Sequence, residues 1–209
     1  ALSATELQKQ RTPTQNDYIA TGTTYQTPPL NNDNVRWVNV TISAGTFIIT
    51  PNEDPEKLHL GVDICPTSDN LEIANDPNGG IEIYPSVFGI VTKVVDGCKP
   101  LQESENCGKY GNHVEIKTTL NTNPDEGDTA YYLTRYAFLR EGIKVNLNDS
   151  INRGEIGPGS GNKVIGIMGN SGLSKDIHLH FEIKRGVKME GKIIEHYLNP
   201  AEFLPRTRQ

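Results

Sequence analysis

The chain has 209 residues, 35% hydrophobic and 22% charged, with a formal net charge of −6. That length suits one domain with a real core, and the composition is polar without being that of a disordered chain. The absence of any Lys/Arg run argues against nucleic-acid binding through a basic patch, and the longest apolar runs are too short to span a bilayer.

No signal peptide is visible, and the start "ALSATELQ" lacks methionine. It fits either a chain trimmed of an export signal or anchor, or a recombinant trimming. Residues 1–33 are rich in Thr, Gln, Asn and Pro, without helical or strand periodicity, and read as an extended arm or linker. From residue 34 to 209 the pattern is that of a single β-rich domain. The segments "VRWVNVTI", "GTFIIT", "SVFGIVTKVV", "GNHVEIKT", "TAYYLTRYAFL", "KVIGIMG" and "IHLHFEIK" are β-branched or aromatic and bounded by Gly, Pro, Asn and Asp. Only "NPAEFLP" suggests a helical turn, with Asn199 capping and Pro200 in the first position. The polar stretches 66–80, 96–109, 119–128 and 149–162 read as long loops able to shape a groove. Of three cysteines, Cys98 and Cys107 bracket one of these loops. They either form a bridge, worth about 2–3 kcal/mol in the chain-entropy model, or stand as two thiols. Cys65 is then the odd one, a small residue in a strand.

Two of only five histidines fall in "DIHLHFEIK". Alternation along a strand puts His178, His180 and Glu182 on one face and Leu179, Phe181 and Ile183 on the other. The apolar set reads as core and the polar set as a site. Far upstream, "KLHLGVDIC" supplies His59 and Asp63, with Gly61 between them leaving room for close backbone approach. Two imidazoles and a carboxylate are a standard ligand set for catalytic zinc, which keeps a fourth position for water. Bound zinc lowers the pKa of that water from about 15.7 towards 7, and a further histidine can act as its general base. His196, after "GKIIE", reads as a surface residue.

In this order, the motifs resemble those of the M23 zinc metallopeptidases of the lysostaphin and LytM type, which cut peptide bonds in bacterial peptidoglycan. "HLGVDI" resembles the first metal motif, "EIYPSVFGIVTKVVDG" the next strand pair, "YGNHVEIK" the Gly-Asn strand, "GIMGNSGLSKDIHLHFEI" the closing motif and "YLNPAEFLP" the domain end. The resemblance implies antiparallel sheets of the LytM/lysostaphin fold, and Zn²⁺ held by His59, Asp63 and His180 with His178 as catalytic histidine. It also implies a peptidoglycan peptide substrate and a secreted or cell-envelope location. The family's Tyr-x-His appears here as "TRYAFLREG": Tyr136 matches the tyrosine, but Phe138 stands where the histidine is usual. By analogy with losing an oxyanion donor, that exchange costs on the order of 10²–10³ in rate. Tyr136 and Tyr132, expected on the face of Phe138, and His113, on an adjacent segment, are candidates to supply the missing group. Their bland reading is packing and surface. The same exchange leaves a second functional reading, a metal-retaining domain that binds peptidoglycan or a partner protein in an envelope assembly.

Overall fold

The computed structural model describes residues 35–38, 60–66, 71–120, 129–157, 161–189, 192–198 and 200. The arm at 1–33, the segment "GTFIIT", His59 and, but for Pro200, the terminal "NPAEFLP" lie outside the described residues. The elements are β1 (Val35–Val38), β2 (Val62–Pro66), α1 (Leu71–Asn75), β3 (Glu82–Ile83), β4 (Gly89–Val95), β5 (Asn112–Leu120), β6 (Thr129–Leu139), β7 (Ser150–Ile151), β8 (Gly166–Ile167), β9 (Leu179–Met189) and β10 (Lys192–Leu198), with a 3₁₀ turn at Arg153–Glu155. The fold is strand-rich and antiparallel, with very little helix.

Eight strands form one sheet, seven of them in the order β1-β2-β9-β6-β5-β4-β7 and the eighth, β10, paired with β9. β3 and β8 form a separate two-stranded sheet. β9 organises the large sheet. One edge pairs with β6 along Thr129–Ala137, while the other is shared between β2 at Val62–Ile64 and β10 at Lys192–Leu198.

One face of the large sheet carries Val62, Ile64, Val114, Ile116, Tyr132, Tyr136, Leu179, Phe181 and Ile183 into a single apolar core. The small sheet and α1 close that core with Ile83 and Ala74, joined by the loop residues Ile81, Val87 and Ile165. The expected split of β9 is therefore observed: Leu179, Phe181 and Ile183 are fully buried in the core. Burying each such side chain stabilises the fold by about 1.5–3 kcal/mol.

Four elements were not legible as such. α1 falls inside a stretch expected to be loop, β7 and the 3₁₀ turn fall inside another, and β10 lies where no strand was expected. "KVIGIMG" contributes only the two-residue strand β8, followed by isolated bridges at Met168 and Gly169.

Cys98 and Cys107 are joined in a disulfide, and Cys65, half-buried in β2, is a thiol. The bridged loop is fastened to the sheet by Asn112. Its side chain accepts the Cys98 N–H at 2.7 Å and donates to the carbonyls of Cys98 at 3.2 Å and Leu139 at 3.0 Å. Thiol titration of the denatured protein is expected to find one reactive group; three groups after isolation in air would contradict the bridge.

Candidate active site

Antiparallel pairing sets facing residues on the same side of a sheet. β2 and β9 place Asp63 opposite His180, β6 and β9 place Arg135 opposite Glu182 and Ala137 opposite His180, and β5 and β6 place Glu115 opposite Arg135. The result is a polar ladder on the face opposite the core. Gly61 permits the approach of β2. A Cβ there would lie 2.4 Å from the Phe181 carbonyl and 3.1 Å from His180 Cε1, so any side chain would push the strands apart.

The ladder is buried and closely bonded. Asp63 Oδ1 lies 2.8 Å from His180 Nδ1 and 3.5 Å from His178 Nε2. His180 Nε2 lies 3.0 Å from Glu182 Oε1. Tyr110 donates its hydroxyl to the same Glu182 oxygen at 2.6 Å. Arg135 donates Nη1 to Glu182 Oε2 at 2.7 Å, and Nε and Nη2 to Glu115 Oε1 at 2.8 and 2.6 Å. Its guanidinium also lies over the Tyr110 ring, 4.2 Å from the centroid.

The site's histidines differ in environment. Burial lowers the His178 pKa more than nearby Asp63 raises it. Its Nδ1 lies 3.0 Å from the Asp176 carbonyl, which can only accept, so Nδ1 carries the proton and Nε2 presents a lone pair towards Asp63. Burial also works against a charged His180, but the hydrogen bonds to Asp63 and Glu182 outweigh it and raise that pKa. Burial would raise the Glu182 pKa, but the bond from His180 and the charge of Arg135 bring it below the usual range.

The structure brings Asp63, His178 and His180 together. His59, the remaining expected ligand, lies outside the described residues. Tyr136 is not at this site. Its side chain is fully buried in the core against Phe181, and its hydroxyl bonds the backbone N–H and Oγ of Ser86 at 2.8 and 2.7 Å. Tyr132 is likewise in the core. Phe138 was expected on their face but is not, because β6 carries a bulge there. The β5–β6 register slips between Asn112 and Val114, and Phe138 takes a left-handed backbone conformation with φ 62°, unusual for a bulky residue. The flip sets the Phe138 ring edge-on to His178, 4.9 Å between centroids, and 5.6 Å from His180.

His113 is almost completely buried, not on the surface. It meets the site through Tyr110, whose ring lies 6.1 Å from His113 and 5.8 Å from His180. Its Nδ1 lies 2.7 Å from the Gly111 carbonyl, while its buried Nε2 has no hydrogen-bond partner among the described residues.

Tyr110 and Arg135 are site residues that alternation in "DIHLHFEIK" alone does not find. Tyr110 is held by the "YGN" turn. Gly111 has φ 58° and would, with a Cβ, meet Gly172 N at 2.4 Å, and Tyr110's own carbonyl accepts the Phe138 N–H at 3.1 Å. Arg135 could have been found by laying β6 beside β9 with Arg135 across from Glu182.

The donor set suits a divalent metal. Asp63 Oδ1 lies 2.8 Å from His180 Nδ1 and 3.5 Å from His178 Nε2, and these oxygen and nitrogen donors are of the kinds that zinc takes, though among the described residues no three such donors are placed to hold a metal ion. Among the residues of the ladder, three carboxylates (Asp63, Glu115 and Glu182) are set against one guanidinium and the His180 imidazole, whose charged form they favour. A bound dication would answer that excess while displacing a proton from the imidazole beside Asp63.

No protein-family model and no curated protein matches the chain. Among solved structures it is similar to a mutant catalytic domain of the prophage-encoded M23 protein EnpA from Enterococcus faecalis (21% identity, 73% of this chain and 82% of that one, TM-score 0.40). It is also similar to a putative glycyl-glycine endopeptidase LytM from Ruminococcus gnavus (21% identity, 90% of this chain and 62% of that one, TM-score 0.48). A third is the catalytic domain of the antimicrobial peptidase lysostaphin from Staphylococcus simulans (19% identity, 64% and 72%, TM-score 0.37). Each is a likeness of fold; what the site can do is set by this chain's own residues.

Burial pushes the His113 pKa down to about 4, so folding holds this ring neutral. The unfolded chain, with a pKa near 6.5, binds the extra proton. Stability from this residue is therefore complete above about pH 6.5 and is lost as pH falls towards 4. Replacing His113 with Gln is expected to shrink the loss of unfolding free energy between pH 7 and pH 4.5 by about 2–3 kcal/mol, read from urea melts. Identical pH profiles for the two proteins would contradict the buried neutral state.

Proposed function

We propose that this chain is a zinc-dependent endopeptidase acting on peptide bonds of bacterial peptidoglycan, in the secreted or cell-envelope space. The observation that carries the reading is the convergence of Asp63 Oδ1 with His180 Nδ1 and His178 Nε2 at 2.8 and 3.5 Å on a buried face, in motifs that run in the order of the M23 peptidases. Asp63 and His180, with His59, would hold the metal. Zinc, when bound, lowers the pKa of a water and polarises a carbonyl.

The chain's own residues have separate tasks in this scheme. His178 takes a proton at Nε2, because Nδ1 is occupied by the Asp176 carbonyl, with Ser174 Oγ 3.2 Å away. Its lowered pKa keeps that lone pair available at neutral pH. His180 is oriented from its far side by Glu182. Phe138 packs on both rings, excludes water from that side and offers no hydrogen bond to the charge that develops during attack.

Phe138 also supports a second reading, in which the domain keeps the metal and binds peptidoglycan or a partner protein with little turnover. The two readings separate on incubation with purified peptidoglycan and analysis of released muropeptides. The endopeptidase reading expects zinc-dependent release, abolished by Asp63→Ala together with stoichiometric metal uptake in elemental analysis. Phe138→His is expected to raise hydrolysis at least about tenfold, a conservative part of an oxyanion donor's usual effect. If both forms are inert on every peptidoglycan type while zinc stays bound, the binding reading replaces the enzymatic one. A wild type slowed by Phe138→His would mean that another group already serves in that role.

A further inference from the structure

We propose that Arg135 is a positioning residue for the metal site, acting through Glu182 to fix the ring of His180. The inference rests on the zinc reading above and adds to it a part that neither metal motif contains. Glu182 and Arg135 are cross-strand partners on β9 and β6. The Glu182 side chain is 1% exposed and that of Arg135 11%, so neither charge has water to compensate it.

The two oxygens of Glu182 have distinct partners. Oε2 receives Arg135 Nη1 at 2.7 Å, while Oε1 receives the Tyr110 hydroxyl at 2.6 Å and lies 3.0 Å from His180 Nε2. This leaves the carboxylate no freedom to rotate. It defines the edge of His180 that faces Glu182 and turns the opposite nitrogen, Nδ1, to Asp63 at 2.8 Å. A histidine ligand commonly donates its second ring N–H to a carboxylate, which sets both ring orientation and ligand basicity. Here that carboxylate is itself held by a guanidinium anchored on Glu115 at 2.6 Å and stacked over Tyr110. The planar fork of arginine is what reaches two carboxylates at once; a lysine ammonium cannot reproduce it.

The test is zinc affinity by chelator competition, with the thermal melt of the metal-free protein measured in parallel. Glu182→Leu is expected to weaken zinc binding about 10–100-fold, the usual effect of losing such a support. Glu182→Gln retains an acceptor oxygen for His180 Nε2 and is expected to recover most of that loss. Arg135→Leu is expected to weaken zinc about tenfold. Arg135→Lys, which keeps the buried charge should the leucine variant fail to fold, is expected to fall between Arg135→Leu and wild type. Variants that melt lower but bind zinc as tightly as wild type would overturn the proposal, leaving Arg135 a purely structural residue and the metal reading intact. A wild type that takes up no zinc would overturn the metal reading itself, and this proposal with it.

Discussion

The pairing of β2 with β9 is the constraint on which the site depends. It is short, only Val62–Ile64 against Leu179–Phe181, yet it sets Asp63 opposite His180 across more than a hundred residues of sequence. Gly61 makes the approach possible, because a side chain there would strike the backbone of β9. Val62, Ile64, Leu179 and Phe181 hold the pair from beneath, each without measurable exposure. The same strands thus contribute a core on one face and the Asp63–His180 pair on the other.

The polar face is costly to bury, and its composition shows how that cost is met. Each isolated charge taken out of water costs several kcal/mol, yet Glu115, Arg135 and Glu182 lie almost wholly beneath the surface. Alternation of sign across three neighbouring strands offsets much of this. Removing one partner of such a set typically costs about 3–5 kcal/mol, because the others are left uncompensated. A core of apolar residues in the same positions would be at least as stable. A buried ladder ending on two histidines and an aspartate therefore makes best sense as support for chemistry at that end. The Phe138 bulge fits the same view: a bulky residue with positive φ is strained, and strain of this kind concentrates at functional positions.

Much of the arrangement was legible in the sequence, and the parts that were not have physical causes. The period-two pattern of "IHLHFEIK" separates core from site correctly, since a strand buried on one face must alternate. Residues with two-fold meaning were harder. Phe138 breaks alternation through a backbone flip that no side-chain pattern encodes, so Tyr136 lies in the core and Phe138 beside the histidines. His113 has a polar side chain in a polar-looking segment, yet the "YGN" turn buries it. Arg135 gains its meaning only from Glu115 and Glu182, which belong to strands distant in sequence. Strand β10 was missed because "KIIEHYL" lacks clean alternation and is recruited by the free edge of β9.

The central proposal is that Asp63 and His180, with His59, hold a catalytic zinc, and X-ray absorption at the zinc edge tests it most directly. The zinc-loaded protein is expected to show only nitrogen and oxygen ligands at about 2.0–2.2 Å, with the outer-shell scattering of imidazole, and Asp63→Ala is expected to abolish this signal. A sulfur ligand at about 2.3 Å, as Cys65 on the same strand would give, or a spectrum of zinc in water alone would contradict it.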